Sequence, residues 1–430
     1  MRLRTLNIGA LSLLVACVSA CSTIGRPAPP ARNIAPDDPD AEVRDYRMGA
    51  LRARLQTMPP GVEREYFAGI LASRSGRVED AIRLLSGILP ELRTAHRQRA
   101  ATALQALAET YLLSCRYREA AQAFDEIEQH FADKHLDVAD DAALARILRE
   151  APAQTVEWQG PVRVPTSRNP IGLVDSEIAI DGIREQWLLD TAANQSVVSR
   201  SYAERLGLTP LAGVASVGSG ITGLASPLRA AIVPTIRLGG VTVSNVVVLI
   251  LDDANLRIGT GTDAYQINAI LGYPTLRALG RITFTRDGQF LAGGTGDQSA
   301  SVPMFLRGLT PAIECEVDGQ RLLFTFDTGA SSSDFSVRYY ESFRRRHPSW
   351  RRRMVESGGA GGTVKRHMYV QPTVTMKVGG RTVVLHDVQI FPVRMNASID
   401  VLFGNLGQDF VAEFESFTLD SVNMTFSVSP

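Results

Sequence analysis

The decisive stretch is Leu322-Leu323-Phe324-Thr325-Phe326-Asp327-Thr328-Gly329-Ala330-Ser331. An apolar, aromatic-rich run of this length reads as a buried strand. It ends abruptly in a carboxylate followed by a hydroxyl and a glycine. A single Asp-Thr-Gly is also a common turn between strands, with the Asp capping its own backbone. This chain repeats it. Gln186-Trp187-Leu188-Leu189-Asp190-Thr191-Ala192-Ala193 has the same build, and Asp327 follows Asp190 by 137 residues.

Three further features recur in the same order after each Asp. The first is a glycine-rich hairpin, with Gly218, Gly220, Ile221 and Gly223 in one copy and Gly358, Gly359, Gly361 and Gly362 in the other. The second is a strand pair around Gly239-Gly240 and around Gly379-Gly380. The third is an apolar pair before glycine, Ile270-Leu271-Gly272 and Leu402-Phe403-Gly404. An ordered internal repeat outweighs any one short motif.

These residues resemble the retropepsin-like aspartic peptidases, in the bacterial branch with Asp-Thr-Gly/Ala, a glycine flap and a terminal Leu-Gly. The resemblance covers roughly residues 160 to 430. It implies a fold of two all-β, barrel-like lobes fused in one chain and enclosing one cleft, as in pepsin, so that no second chain is needed. It implies hydrolysis of a polypeptide held in extended form, with no cofactor and no metal. Asp190 and Asp327 would flank the attacking water, one as base and one as acid. Thr191 and Thr328 would cross-bond beneath them. Gly329 and Ala192 would let backbone amides approach the carboxylates; Ala192 departs from the usual glycine. The two glycine hairpins would be flaps over the substrate.

The chemistry suits paired carboxylates. Two like charges at contact cannot both ionise, so the pair keeps one proton over a wide pH range, and its titrations belong to the pair. In many acid-optimised members of the family the next position is Ser or Thr, whose hydroxyl lowers the carboxylate pKa. Here it is Ala193 and Ala330, which predicts work nearer neutrality, with an optimum above about pH 4.

The remaining chain adds context. A formal net charge of zero and an ordinary 45% apolar content give no reason to expect nucleic acid as a partner. Met1-Arg2-Leu3-Arg4 and the apolar run to Val18 read as a signal peptide over residues 1–20. Val18-Ser19-Ala20-Cys21 looks like a bacterial lipobox, so Cys21 would carry lipid and anchor the chain, with Ser22 favouring the outer membrane. A flexible tether is expected over 21–44, a helical, tetratricopeptide-like domain over 45–150, a linker over 151–170, and the lobes over 171–299 and 300–430. Ala81 and Ala120 sit in matching helical patterns 39 residues apart, and such helical hairpins commonly dock proteins. The fold class is thus multidomain α+β: an α-helical hairpin domain, then an all-β bilobal one.

Other constellations are thin. The histidines are scattered, no metal-ligand spacing stands out, and Ser331 to Ser333 with His386 and Asp387 lack a nucleophile elbow. Two alternatives to a general endopeptidase stay open: a catalytically silent peptide-binding or scaffold protein of this fold, and a processing protease with a single substrate.

Overall fold

The computed structural model describes residues 38–218, 225–259, 264–294, 300–347, 349–359, 362–395 and 400–429. The expected signal peptide, Cys21, Gly220, Ile221, Gly223 and Gly361 lie outside these residues. Of Gly218, Gly358, Gly359 and Gly362 the strand backbone is described.

The helical part begins inside the expected tether. Asp38 caps the helix Pro39–Arg44 by accepting the Asp40 N–H at 3.0 Å, and Pro39 occupies the first helical position. The Pro- and Asp-rich composition hid a start signal. From Val62–Arg74 through Val78–Ala95, Arg97–Leu113, Tyr117–His130 and Ala139–Leu148, each helix packs against the next. Gly69 is required by that packing, because a Cβ there would lie 2.5 Å from Leu85. Gly76 and Cys115, also 39 residues apart, both turn the chain with positive φ just after a helix. Cys115 therefore sits in a turn. It and the buried Cys315 are free thiols.

The β part is built twice on one plan. In the first lobe the strand Ile183–Leu189 runs parallel to Ala269–Leu271, which is antiparallel to Ser196–Ser199. In the second, Gln320–Phe326 runs parallel to Gly404–Leu406, which is antiparallel to Asp334–Phe335. A strand with sheet neighbours on both sides and cover on both faces is apolar throughout. That is why Trp187-Leu188-Leu189 and Leu322-Leu323-Phe324 read as continuous runs. Serine caps the short helix that follows each turn: Ser199 on Arg200–Arg205 and Ser336 on Val337–Phe343. The flap hairpins pair Ala215–Gly218 with Ala225–Leu238, and Arg351–Gly359 with Gly362–Val378. Arg351, Arg352 and Arg353 thus open a strand of the second hairpin.

The lobes meet in a six-stranded sheet. Its order is Val162–Pro165, Gln289–Ala292, Arg281–Thr285, Ser416–Asp420, Thr425–Ser429 and Ser301–Arg307. The local twofold axis passes between Thr283 and Thr418, whose hydroxyls are 2.8 Å apart. Phe284 stacks on Phe417 at 4.9 Å beside them. Two sequence expectations are corrected here. Residues 151–170 carry the strands Thr155–Trp158, Val162–Pro165 and Ser167–Arg168, so they are built into the sheets rather than linking them. Residues 281–292, expected in the first lobe, lie in the shared sheet. Strands of two to four residues are too short to show an alternation.

The helical part touches both lobes. Asp140 accepts from Ser216 at the base of the first flap, at 2.9 Å, and the Asp45 carbonyl accepts from Arg338 at 2.8 Å. A cavity of about 1030 Å3 lies where helices and lobes meet, walled by Arg99 and Glu109 on one side and Asn194, Arg307 and Val401 on the other.

Candidate active site

Each Asp stands one residue beyond the end of its apolar strand, and the lobe contact brings the two side chains together. Asp190 is fully buried and Asp327 is 1% exposed. The carboxyl groups are within hydrogen-bonding reach of each other. Beneath them the threonines form a reciprocal lock. The Thr191 N–H donates to Thr328 Oγ1 and the Thr328 N–H to Thr191 Oγ1, both at 3.0 Å. Each hydroxyl then donates across the lobe boundary, Thr191 to the Phe326 carbonyl at 2.9 Å and Thr328 to the Leu189 carbonyl at 2.6 Å. Every buried donor here has its acceptor, so the turns are held rigidly relative to each other.

The small residue after each threonine has a steric cause. A Cβ on Gly329 would lie 2.4 Å from the Asp190 carboxyl carbon. Its counterpart Ala192 carries a methyl group and is fully buried. The departure from glycine therefore falls on the side that has room. Behind the turns, glycine is again needed: a Cβ on Gly272 would lie 2.5 Å from the Gln195 backbone, and one on Gly407 would lie 2.8 Å from that of Ser332.

Gly407 corrects the expected terminal motif. Asp190 N–H donates to the Leu271 carbonyl, and Asp327 N–H to the Leu406 carbonyl. Ser196 Oγ accepts the Gly272 N–H, and Ser333 Oγ the Gly407 N–H. Tyr273 N–H reaches the Ala193 carbonyl, and Gln408 N–H that of Ala330. The counterparts of Ile270, Leu271 and Gly272 are therefore Asn405, Leu406 and Gly407, not Leu402, Phe403 and Gly404. Gly404 is glycine for another reason: the strand Asp334–Phe335 crosses so closely that a Cβ would lie 2.4 Å from the Asp334 carbonyl. The true motif hid because its first position is polar. The signal was the helix that opens directly after each glycine, Tyr273–Ala278 and Gln408–Val411.

Two functional side chains escaped the sequence reading as a result. Asn405, 4% exposed, donates Nδ2–H to Asp327 Oδ2 at 2.9 Å. Gln408 donates to the Thr328 carbonyl at 2.7 Å and is itself held by Arg168 at 2.9 Å.

The two carboxyls consequently have different surroundings. Asp190 Oδ1 accepts the N–H groups of Ala192 at 2.8 Å and Ala193 at 3.1 Å, while its Oδ2 is buried and receives no N–H donor, the Asp327 carboxyl being its polar neighbour. Asp327 accepts on both oxygens, from the Gly329 N–H at 2.8 Å and from Asn405. Burial, and then the neighbouring Asp327 charge, push Asp190 well above the usual carboxyl range. Burial also raises Asp327, to about 6, against the opposing pull of Asn405 and Gly329. A pair so placed holds one proton and presents one anion. It can take a proton from a water and return one to a leaving nitrogen. Among the described residues no cluster of His, Cys, Asp and Glu is arranged to hold a metal.

Two comparisons with known proteins find a likeness. The aspartyl protease family model matches residues 176–275 and 313–410, and each match contains one of the two Asp. Among solved structures, the aspartic proteinase from Irpex lacteus is similar at 11% identity and a TM-score of 0.41, over 63% of this chain and 97% of that one. No curated protein matches the chain. The segments 176–275 and 313–410, each carrying one Asp-Thr turn just beyond an apolar strand, are thus both similar to the aspartyl protease family.

Proposed function

We propose that this protein is an aspartic endopeptidase that hydrolyses polypeptides of the bacterial cell envelope while anchored to a membrane by lipid on Cys21. The single observation that carries the peptidase reading is the intact, buried pair. Asp190 and Asp327 lie side by side above a fully bonded threonine lock, and of their four carboxyl oxygens Asp190 Oδ2 alone receives no N–H donor. That is the arrangement a water-activating pair requires. The substrate would lie extended under the two flap hairpins and add as a strand. The anchor reading rests on the lipobox-like Val18 to Cys21, and no described helix is long and apolar enough to cross a membrane.

A polypeptide partner of the helical part is supported by the cavity against the lobes. Arg307 projects there from the second lobe, 9% exposed, and its Nε has no hydrogen-bond partner. A carboxylate brought by a docked polypeptide would complete it. The silent-scaffold alternative has no observation in its favour, since scaffolds of this kind need neither carboxylate. The single-substrate alternative differs only in the peptides cut. The test compares envelope proteins in cells lacking the protein, in cells with the wild type and in cells with Asp190→Asn. Fragments present only with the wild type support the reading. Identical fragment patterns in all three, together with no cleavage of denatured proteins in vitro, would refute it.

A further inference from the structure

The two carboxyls stand on matching turns of matching lobes, yet one strand position breaks the symmetry. The residue two places before the terminal glycine is Ile270 in the first lobe and Asn405 in the second. Ile270 is fully buried and offers Asp190 only hydrocarbon. Asn405 offers Asp327 an N–H at 2.9 Å. The positions after the turns, Ala193 and Ala330, supply no hydroxyl to either carboxyl. Among the described residues Asn405 is thus the one side-chain amide bonded to the pair, and it comes from a strand rather than from the turn.

We infer that Asn405 is a positioning residue that sets the direction of proton transfer, holding Asp327 as the ionised base and leaving the shared proton on Asp190. An anionic carboxylate is acceptor-only, so it is favoured where both oxygens meet donors, as at Asp327. Asp190 Oδ2, with no donor aimed at it, is where a proton is best kept and from which it can be handed to the leaving nitrogen. The transfer balances simply. Asp327 takes one proton from water as the oxygen attacks, and Asp190 gives one to the nitrogen as the C–N bond breaks. The proton on Asp327 then returns to Asp190. The other titratable groups nearby are accounted for. Asp334 stands opposite Asn405 in the antiparallel pair, and Asp409 accepts both the N–H and hydroxyl of Ser333 at 2.7 Å. Arg168 is turned to Gln408.

The inference rests on the peptidase reading for its consequence but not for its test. The first measurement is a 13C carboxyl NMR titration of the full wild-type chain, with the Asp190 and Asp327 signals assigned by Asp→Asn substitution. Asp327 is expected to ionise first, and ionisation of Asp190 first would overturn the proposal whatever the activity. The second is the pH dependence of kcat/KM for Asn405→Leu against wild type. The acid limb should move up by about one to two pH units, because a hydrogen bond to the anion is lost, while the alkaline limb stays near its place. A uniform drop in rate with both limbs unmoved would assign Asn405 a merely structural role and overturn the proposal. A wild type that ionises Asp327 first yet cuts nothing would refute the peptidase reading and leave the assignment of the proton standing. If Asn405→Leu does not fold, the wild-type titration alone decides.

Discussion

The two lobes were built on one plan and differ where it matters most. In the first, Asp190 is backed by Ile270 and meets two amides on one oxygen, with no N–H aimed at the other. In the second, Asp327 is backed by Asn405 and meets a donor on each oxygen. The lock between them is symmetric, bond for bond. The lesson is a division of labour: what holds the site must be equal on both sides, and what runs the chemistry need not be. A homodimer would have to place the same residue in both positions. Fusing the lobes removes that constraint.

The largest expected effect tests whether the carboxyls are equally indispensable. Asp190→Asn and Asp327→Asn should each lower kcat/KM by about 10²–10⁴-fold or more, since each removes a proton carrier. A difference of more than tenfold between them would sharpen the division of roles. Next, Thr191→Val and Thr328→Val each leave a buried N–H and a buried carbonyl without partners. Each should cost about 2–4 kcal/mol in chemical unfolding, and by nearly equal amounts. Clearly unequal costs would break the symmetry of the lock. Smaller residues should be interchangeable on one side only. Gly329→Ala would drive a methyl into the Asp190 carboxyl and should abolish activity, whereas Ala192→Gly should keep at least half of it in the same assay.

The smallest effect is on stability against pH. Asp175 is buried in the first lobe, beside Asn169 and Tyr265, and burial raises its carboxyl to about 6. The position paired in the same way in the second lobe is Ala312. The folded chain thus keeps a proton that the unfolded chain releases near pH 4. This contribution is fully present below about pH 4 and is lost as pH rises through 6. The two dyad carboxyls act with the same sign. Asp175→Asn should therefore gain stability relative to wild type between denaturant titrations at pH 4 and pH 7. A constant difference would contradict the raised carboxyl.

Much of this was legible in the sequence because the informative residues come in matched runs. Two buried strands ending in Asp-Thr, two glycine hairpins and two Gly-Gly turns are patterns that periodicity and repetition reveal. The misses share a different cause. Asn405 is polar where its mate Ile270 is apolar, so similarity slid the motif to Leu402-Phe403-Gly404, and only backbone pairing restored the register. Pro39 to Arg44 was masked by a composition typical of tethers, although Asp38-Pro39 is a helix start. Val162–Pro165 is stabilised by the shared sheet rather than by its own pattern. Residues whose place is set by partners more than a hundred positions away leave little local trace.

We propose that two carboxyls, one from each lobe, cut polypeptides with one shared proton. The most direct measurement is cleavage of a denatured-protein mixture by the purified full chain from pH 3 to 8, beside Asp190→Asn and Asp327→Asn. Cleavage by the wild type with an optimum above about pH 4, lost in both variants, is the predicted result. Cleavage that survives in either variant would contradict the claim.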